Sequence, residues 1–280
     1  MGGVKNNENF ILNCEGWEIV RKRNLDKVKN FIESSLPFKK DGSVISIAPM
    51  TGAVENMGFA KESDFYDGMM KSVWKSGAGL SIGDGFPDEK LRLGIEAVRK
   101  VRKDFPSVSA SVFIKPYSNE KIIERFEWAK DCASVVGIDI DAYNIVTMRN
   151  LVNLEKKSAE KLKELRKVIK VPFAIKGVFT KEDIELVKEV RPEIAFVSNH
   201  GGRVETRKGS TAEFLEEYAS ELKKYCGAIW VDGGIRSGLD TATALALGAD
   251  YVLVGRPFVS AFCHGGEEEV QKKTDELLSI

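Results

Sequence analysis

The chain has 280 residues, 43% of them apolar, which suits one large core better than two small ones. Lys plus Arg and Asp plus Glu balance at 42 each, so no overall field draws the chain to nucleic acid or to an anionic membrane. Its four cysteines (Cys14, Cys132, Cys226 and Cys263) form no CxxC pair, which argues against a disulfide scaffold and fits reduced thiols in a cytoplasmic protein.

The first nine residues lack a basic segment followed by an apolar one, so no signal peptide is expected. Asn6 stands where a myristoylation signal needs Ser or Thr. Residues 1–42 read as a short N-terminal extension. From Ser43 onward, short β-branched runs alternate with longer amphipathic segments. Strands are expected at 44–48, 79–82, 108–114, 135–138, 172–175, 194–197, 228–231 and 251–254. Helical periodicity fills the intervals at 64–75, 88–103, 119–130, 159–167, 181–190, 211–225 and 239–247, with a closing helix at 267–278. The apolar stretch 242–263 is broken by Asp250, Arg256 and Pro257 and does not read as a membrane span.

Eight such units over residues 43–280 predict an α/β protein, a (β/α)8 TIM barrel. An open doubly wound sheet would use fewer units and a glycine-rich first turn, which is absent. Position supports the barrel, because the chemically loaded residues follow strand after strand. Pro49, Met50 and Thr51 follow the first, Asp84 the second, Lys115 the third, Asp139 and Asp141 the fourth, and Lys176 the fifth. Then come Ser198 to Arg203, Asp232 to Arg236, and Gly255 with Arg256. All would meet at the C-terminal face of the strands, where this fold builds its site.

Two motifs define chemistry. Asp232-Gly233-Gly234-Ile235-Arg236-Ser237-Gly238 after strand seven and Gly255-Arg256-Pro257 after strand eight offer backbone N–H groups, a helix start and two arginines, a cradle for a phosphate. Ser198-Asn199-His200-Gly201-Gly202-Arg203 holds one of the chain's two histidines. An imidazole exchanges protons near neutral pH, and a guanidinium three residues on can grip a carboxylate through two parallel hydrogen bonds. No metal site is expected.

From Val171 onward these motifs, with Pro172-Phe173-Ala174-Ile175-Lys176-Gly177-Val178, Ala244-Leu245-Ala246-Leu247-Gly248-Ala249-Asp250 and Val254-Gly255-Arg256-Pro257-Phe258, occur in register. In this the chain resembles the FMN-dependent α-hydroxy-acid oxidases and dehydrogenases. It looks most similar to short bacterial and archaeal members with an Ile-Lys-Pro third strand and an Asp-x-Asp fourth. The resemblance implies oxidation of a small 2-hydroxy acid to a 2-oxo acid, FMN as cofactor and a homo-oligomeric state. His200 would be the base, paired with Asp139, which would raise its pKa, and Arg203 the carboxylate clamp. Lys176 would stabilise charge on reduced flavin, and Ser198 would touch the ring. Asp232, Gly233 and Gly234 would hold the ribityl chain, Arg236, Gly255 and Arg256 the phosphate, and Pro49, Met50 and Thr51 the flavin at the first strand end.

The chain departs from the family by lacking a tyrosine in the N-terminal segment and another after strand three, both substrate-facing in well-known members. Lys115 is the stand-in expected after strand three, favouring an anionic substrate, with Arg149 and Tyr143 as further candidates from loop four. Two alternatives share the scaffold: an FMN-dependent isomerase of the type 2 isopentenyl diphosphate isomerase kind, and an FMN-binding protein without turnover.

Overall fold

The computed structural model describes residues 7–35 and 44–280. The chain start read for targeting, Met1 to Asn6, lies outside the described residues. Two helices, α1 (Glu8–Arg23) and α2 (Leu25–Ser35), precede the first strand. The eight strands are β1 (Ile45–Ile47), β2 (Leu80–Gly83), β3 (Ala110–Ile114), β4 (Ala133–Asp139), β5 (Phe173–Val178), β6 (Ile194–Val197), β7 (Ala228–Val231) and β8 (Tyr251–Val254). Between them run α3 (Ala53–Met57), α4 (Glu62–Lys75), α5 (Glu89–Asp104), α6 (Asn119–Ala129), α7 (Val146–Leu151), α8 (Ala159–Val168), α9 (Lys181–Val190), α10 (Thr211–Leu222) and α11 (Gly238–Ala246). The last helix, α12, spans Arg256–Leu278.

All pairings are parallel, and the sheet runs β1-β8-β7-β6-β5-β4-β3-β2. A single bridge, Ser46 to Gly79, joins the two ends, with the Ile47 N–H on the Gly79 carbonyl at 3.1 Å and the Gly79 N–H on that of Ile45 at 2.9 Å. The sheet is therefore closed, a (β/α)8 barrel. Strands buried on both faces read as continuous apolar runs rather than alternating ones, as parallel sheets require. Inside the barrel, Phe113, Phe196 and Trp230 stack edge-on, with ring centroids 5.3 Å apart for the first pair and 6.1 Å for the second. Such aromatic contacts fill the tube with a packed floor beneath the site. A larger core lies between the strands and the surrounding helices.

The structure departs from the sequence reading in three places. First, α1 buries Asn9, Asn13, Gly16, Trp17 and Val20, a face half polar and small, so it shows no apolar stripe to announce a helix. Second, α12 begins at Arg256 rather than at residue 267; non-helical backbone at Gly265 and Gly266 interrupts the periodicity that defines only its second half. Third, α3 and α7 have five and six residues, too short to carry a period. Among the described residues no helix is long and apolar enough to cross a membrane, and all four cysteines are free.

Candidate active site

Strand register assembles the centre of the site. Asp139 is the last residue of β4 and stands opposite Lys176 of β5. The Lys176 ammonium donates to Asp139 Oδ1 at 2.7 Å and lies 3.9 Å from Asp141 Oδ1. Asp141 sits in the 3₁₀ turn Ile140–Asn144 just beyond β4. The turn can close over β5 because residue 177 is glycine: a Cβ there would meet the Asp141 Cβ at 2.6 Å, and the backbone has φ +99°. This glycine also coincides with the register shift between β5 and β6.

His200 is presented by a turn after β6 whose three successive residues, His200, Gly201 and Gly202, all have positive φ. Such backbone in a non-glycine residue costs energy and persists only where its surroundings enforce it. Here the enforcing groups are identifiable. Ser198 Oγ accepts from the His200 N–H at 3.2 Å, and Asn199 Oδ1 accepts from the Gly202 N–H at 2.9 Å. Asn13 of α1 holds the Asn199 amide in turn, at 2.7 and 3.1 Å. The imidazole Nδ1 lies 3.1 Å from Asp141 Oδ1 and 3.6 Å from Asp139 Oδ2.

The electrostatics of this cluster are uneven. Burial works to raise the Asp139 carboxyl, but Lys176 and then His200 outweigh it and hold the group below the ordinary carboxylate range. Asp141 is pushed well above that range, by burial first and by the neighbouring Asp139 in addition, against the pull of Lys176. Burial also drives His200 below the usual imidazole range, although Asp139 opposes the shift. The raised histidine pKa expected from Asp139 is thus reversed, because lost hydration exceeds the attraction of one carboxylate already committed to Lys176. The shift favours the neutral ring, with Nδ1 engaged and a side chain still 22% exposed. Atoms of Asp139, Asp141 and His200 that could ligate a metal lie within 4.8 Å of one another. The Lys176 ammonium already supplies the positive charge there.

At the other end of the cleft, β7 and β8 deliver Asp232, Gly233, Gly234, Arg236, Gly255 and Arg256. Trp17 of α1 donates its indole N–H to the Gly233 carbonyl at 2.8 Å. Gly234, at φ +80°, passes so close to α1 that a Cβ would fall 1.8 Å from the Asn13 carbonyl oxygen. Asp240 accepts from the Arg236 and Ser237 N–H groups at 3.0 and 3.1 Å and starts α11 with a capping box. Arg256 opens α12, donates to the Gly201 carbonyl at 3.1 Å and lies 4.4 Å over the Phe10 ring. Among the described residues no carboxylate lies within ion-pair distance of Arg203, Arg236 or Arg256. Burial lowers the Arg256 pKa, and repulsion from Arg236 and Arg203 adds to it. Three guanidiniums without a carboxylate partner among the described residues and a buried, unpartnered Asp232 Oδ1 make a cleft whose charges fit a phosphate-bearing, hydroxyl-rich group such as FMN.

Lys115 also lines the cleft, 6% exposed, with its ammonium donating to the Asp84 carbonyl at 2.5 Å. Burial depresses its pKa while Asp84 and Asp139 oppose. Pro49, Met50 and Thr51 line the cleft as well. Not every expected residue reaches the cleft. Ser198 is wholly buried beneath it and serves the His200 backbone instead. Arg149 is exposed and stacks on Tyr143 at 5.2 Å, and neither lines the cleft. Sequence reasoning missed Phe10, Asn13 and Trp17, whose only signal is an aromatic and amide pattern with no motif. It also missed Asn56 and Met57 of the short α3, which line the mouth.

The family model described as FMN-dependent dehydrogenase matches residues 98–279. Among curated proteins, peroxisomal (S)-2-hydroxyacid oxidase GLO3 of Arabidopsis thaliana is 38% identical over 113 residues, 40% of this chain and 31% of that protein. The 2-hydroxyacid oxidase 2 of Rattus norvegicus is 35% identical over 113 residues, 40% and 32% of the respective chains. The matched segment thus spans about a third of the length of these relatives. A crystal structure of mandelate oxidase with (S)-2-phenylpropionate superimposes with a TM-score of 0.68 at 19% identity, covering 99% of this chain and 84% of that one. At that identity the likeness speaks for the barrel alone.

Proposed function

Because this chain belongs to the FMN-dependent dehydrogenase family, with FMN as its cofactor, we propose that it oxidises a small 2-hydroxy acid to the 2-oxo acid. When bound, FMN supplies the redox chemistry by taking the two electrons that leave the substrate carbon. Arg236, Arg256 and the Gly255 N–H would hold its phosphate, Asp232, Gly233 and Gly234 its ribityl hydroxyls, and Pro49, Met50 and Thr51 its flank. Lys176, an ammonium buried at 4% side-chain exposure, would offset negative charge on the flavin side of the cleft. His200 takes the substrate hydroxyl proton at Nε2, the nitrogen turned away from the carboxylates. Arg203 binds the substrate carboxylate, and Lys115 contributes a second cation in place of the family's tyrosine, which favours a substrate more acidic than lactate.

One observation carries the reading. An imidazole engaged at Nδ1 and lining the cleft shares that cleft with an arginine lacking any carboxylate partner among the described residues. A base beside an unpaired anion site is what abstraction of a proton from a hydroxy acid requires. Free thiols throughout the chain accord with a cytoplasmic setting, and a homo-oligomer is part of the same reading. The test is anaerobic mixing of the FMN-loaded protein with mono- and dicarboxylic 2-hydroxy acids while the flavin absorbance is followed. Bleaching by at least one acid is expected; failure of the whole panel overturns the proposal.

A further inference from the structure

Two carboxylates, not one, stand between Lys176 and His200, and the geometry divides them. Asp139 Oδ1 takes the Lys176 ammonium at 2.7 Å, while its other oxygen stays 3.6 Å from the imidazole, beyond a normal hydrogen bond. Asp141 reverses the preference: Oδ1 lies 3.1 Å from His200 Nδ1 but 3.9 Å from the ammonium. We propose that Asp141 is the residue that orients His200 and fixes its Nδ1–H tautomer, leaving Asp139 to hold Lys176. This rests on the reading of His200 as the base, and it replaces the pairing of His200 with Asp139.

Three further features support the division. Asp141 is 2% exposed, and its Oδ2 has no hydrogen-bond partner among the described residues. A buried carboxylate oxygen without a donor is expensive, and the cost falls when the group keeps a proton. A neutral acid beside an ionised one satisfies both, since one proton then serves the Asp139–Asp141 pair and a single negative charge faces Lys176. The turn carrying Asp141 packs directly on Gly177 of β5, where a Cβ would meet the Asp141 Cβ and Cγ at 2.6 Å, which sets where along β5 the carboxyl stands. The carbonyl-like oxygen of a neutral Asp141 accepts the Nδ1–H and leaves the Nε2 lone pair to receive the substrate proton. The arrangement positions the base without placing a second negative charge beside the Lys176 ammonium.

The chain's two histidines make the test direct. Nitrogen-15 NMR of the FMN-loaded protein reads the protonation and tautomer of each ring, and His264→Asn assigns the signals by removing the exposed one. The expected spectrum of the parent shows His200 neutral with the proton on Nδ1. Asp141→Asn, nearly isosteric, can turn an amide N–H toward Nδ1 and is expected to shift His200 toward the Nε2–H form. It should also lower the rate of flavin reduction by hydroxy acid about 10- to 1,000-fold, with KM little changed. Asp139→Asn is expected to leave the His200 tautomer in place. A tautomer that survives Asp141→Asn, or is lost in Asp139→Asn, overturns the assignment; the second arm decides alone if Asp141→Asn does not fold. Because the spectra need no turnover, a panel of acids that fails to bleach the flavin would count against the proposed function and leave this measurement standing.

Discussion

His200, Arg203 and Lys115 are the side chains on which the proposed chemistry turns, and each can be separated experimentally. His200→Ala is expected to slow flavin reduction by roughly two to four orders of magnitude while FMN stays bound, measured by stopped-flow absorbance. The imidazole is held below its ordinary pKa of about 6.5 by burial, with Asp139 opposing and Lys176, Arg203 and Lys115 adding to the shift. A base works in its neutral form, and a depressed pKa keeps that form present as the pH falls. The acid limb of kcat/KM, which reports the free enzyme, should therefore lie below pH 6.5. A limb at or above that value would show that the carboxylates, not burial, dominate the ring. Arg203→Lys should raise KM more than it lowers the limiting reduction rate, because an ammonium cannot reproduce the two parallel hydrogen bonds of a guanidinium. Lys115→Met tests the acidic-substrate preference, and equal use of mono- and dicarboxylic acids before and after would make Lys115 a purely structural cation.

Among the elements, α1 is the one whose importance outruns its sequence signal. It meets the site at three levels: Phe10 under the Arg256 guanidinium, Asn13 on Asn199, and Trp17 on the Gly233 carbonyl. The loops after β6 and β7 therefore rest on a helix that lies outside the repeating βα units. Arg256→Ala should weaken FMN binding by about 1–3 kcal/mol, the scale of a charged hydrogen bond. Phe10→Ala removes a cation–π contact worth about 0.5–1 kcal/mol, so its smaller loss of FMN affinity should come through the same arginine. Fluorescence titration of the apoprotein with FMN measures both, and in Arg256→Ala the Phe10 effect should vanish. Gly234→Ala would drive a methyl into the Asn13 carbonyl and force a left-handed backbone, costing about 2–4 kcal/mol in a denaturant titration.

At the scale of the whole molecule, the barrel concentrates ionisable groups at one end of a packed tube. Lys115, Lys176, Asp139, Asp141 and Asp232 are all buried there, above the aromatic layer of Phe113, Phe196 and Trp230. Together with three unneutralised arginines, they leave this end of the fold poorly compensated until an anion fills it. A ligand that binds only the folded state adds about 2.7 kcal/mol at a hundredfold excess over its Kd. Removing FMN is therefore expected to lower Tm by several degrees, and adding it back to restore the loss. An apoprotein melting at the same temperature with and without excess FMN would mean that the arginines are satisfied by something else.

Much of this architecture is local in origin and was legible in the chain. Strand runs, helical periods and the placing of loaded residues after each strand follow from side-chain patterning over a few residues, which is why the barrel and most of the residues lining its cleft could be read in order. The His200 and Gly233-Gly234 motifs are likewise contiguous. What the chain alone could not give are relations set by packing between distant segments. Asn13 lies 186 positions from the Asn199 it holds, and nothing in a polar helix face names that partner. The choice between Asp139 and Asp141 as the partner of His200 depends on a fraction of an ångström fixed by strand register and by the missing Cβ of Gly177. The downward shift of the His200 pKa comes first from burial, a property of the closed barrel. Sequence specified which groups are present and roughly where along each strand; the tertiary structure decided which touch, because hydrogen bonds and desolvation act over distances far shorter than the loops that separate these residues.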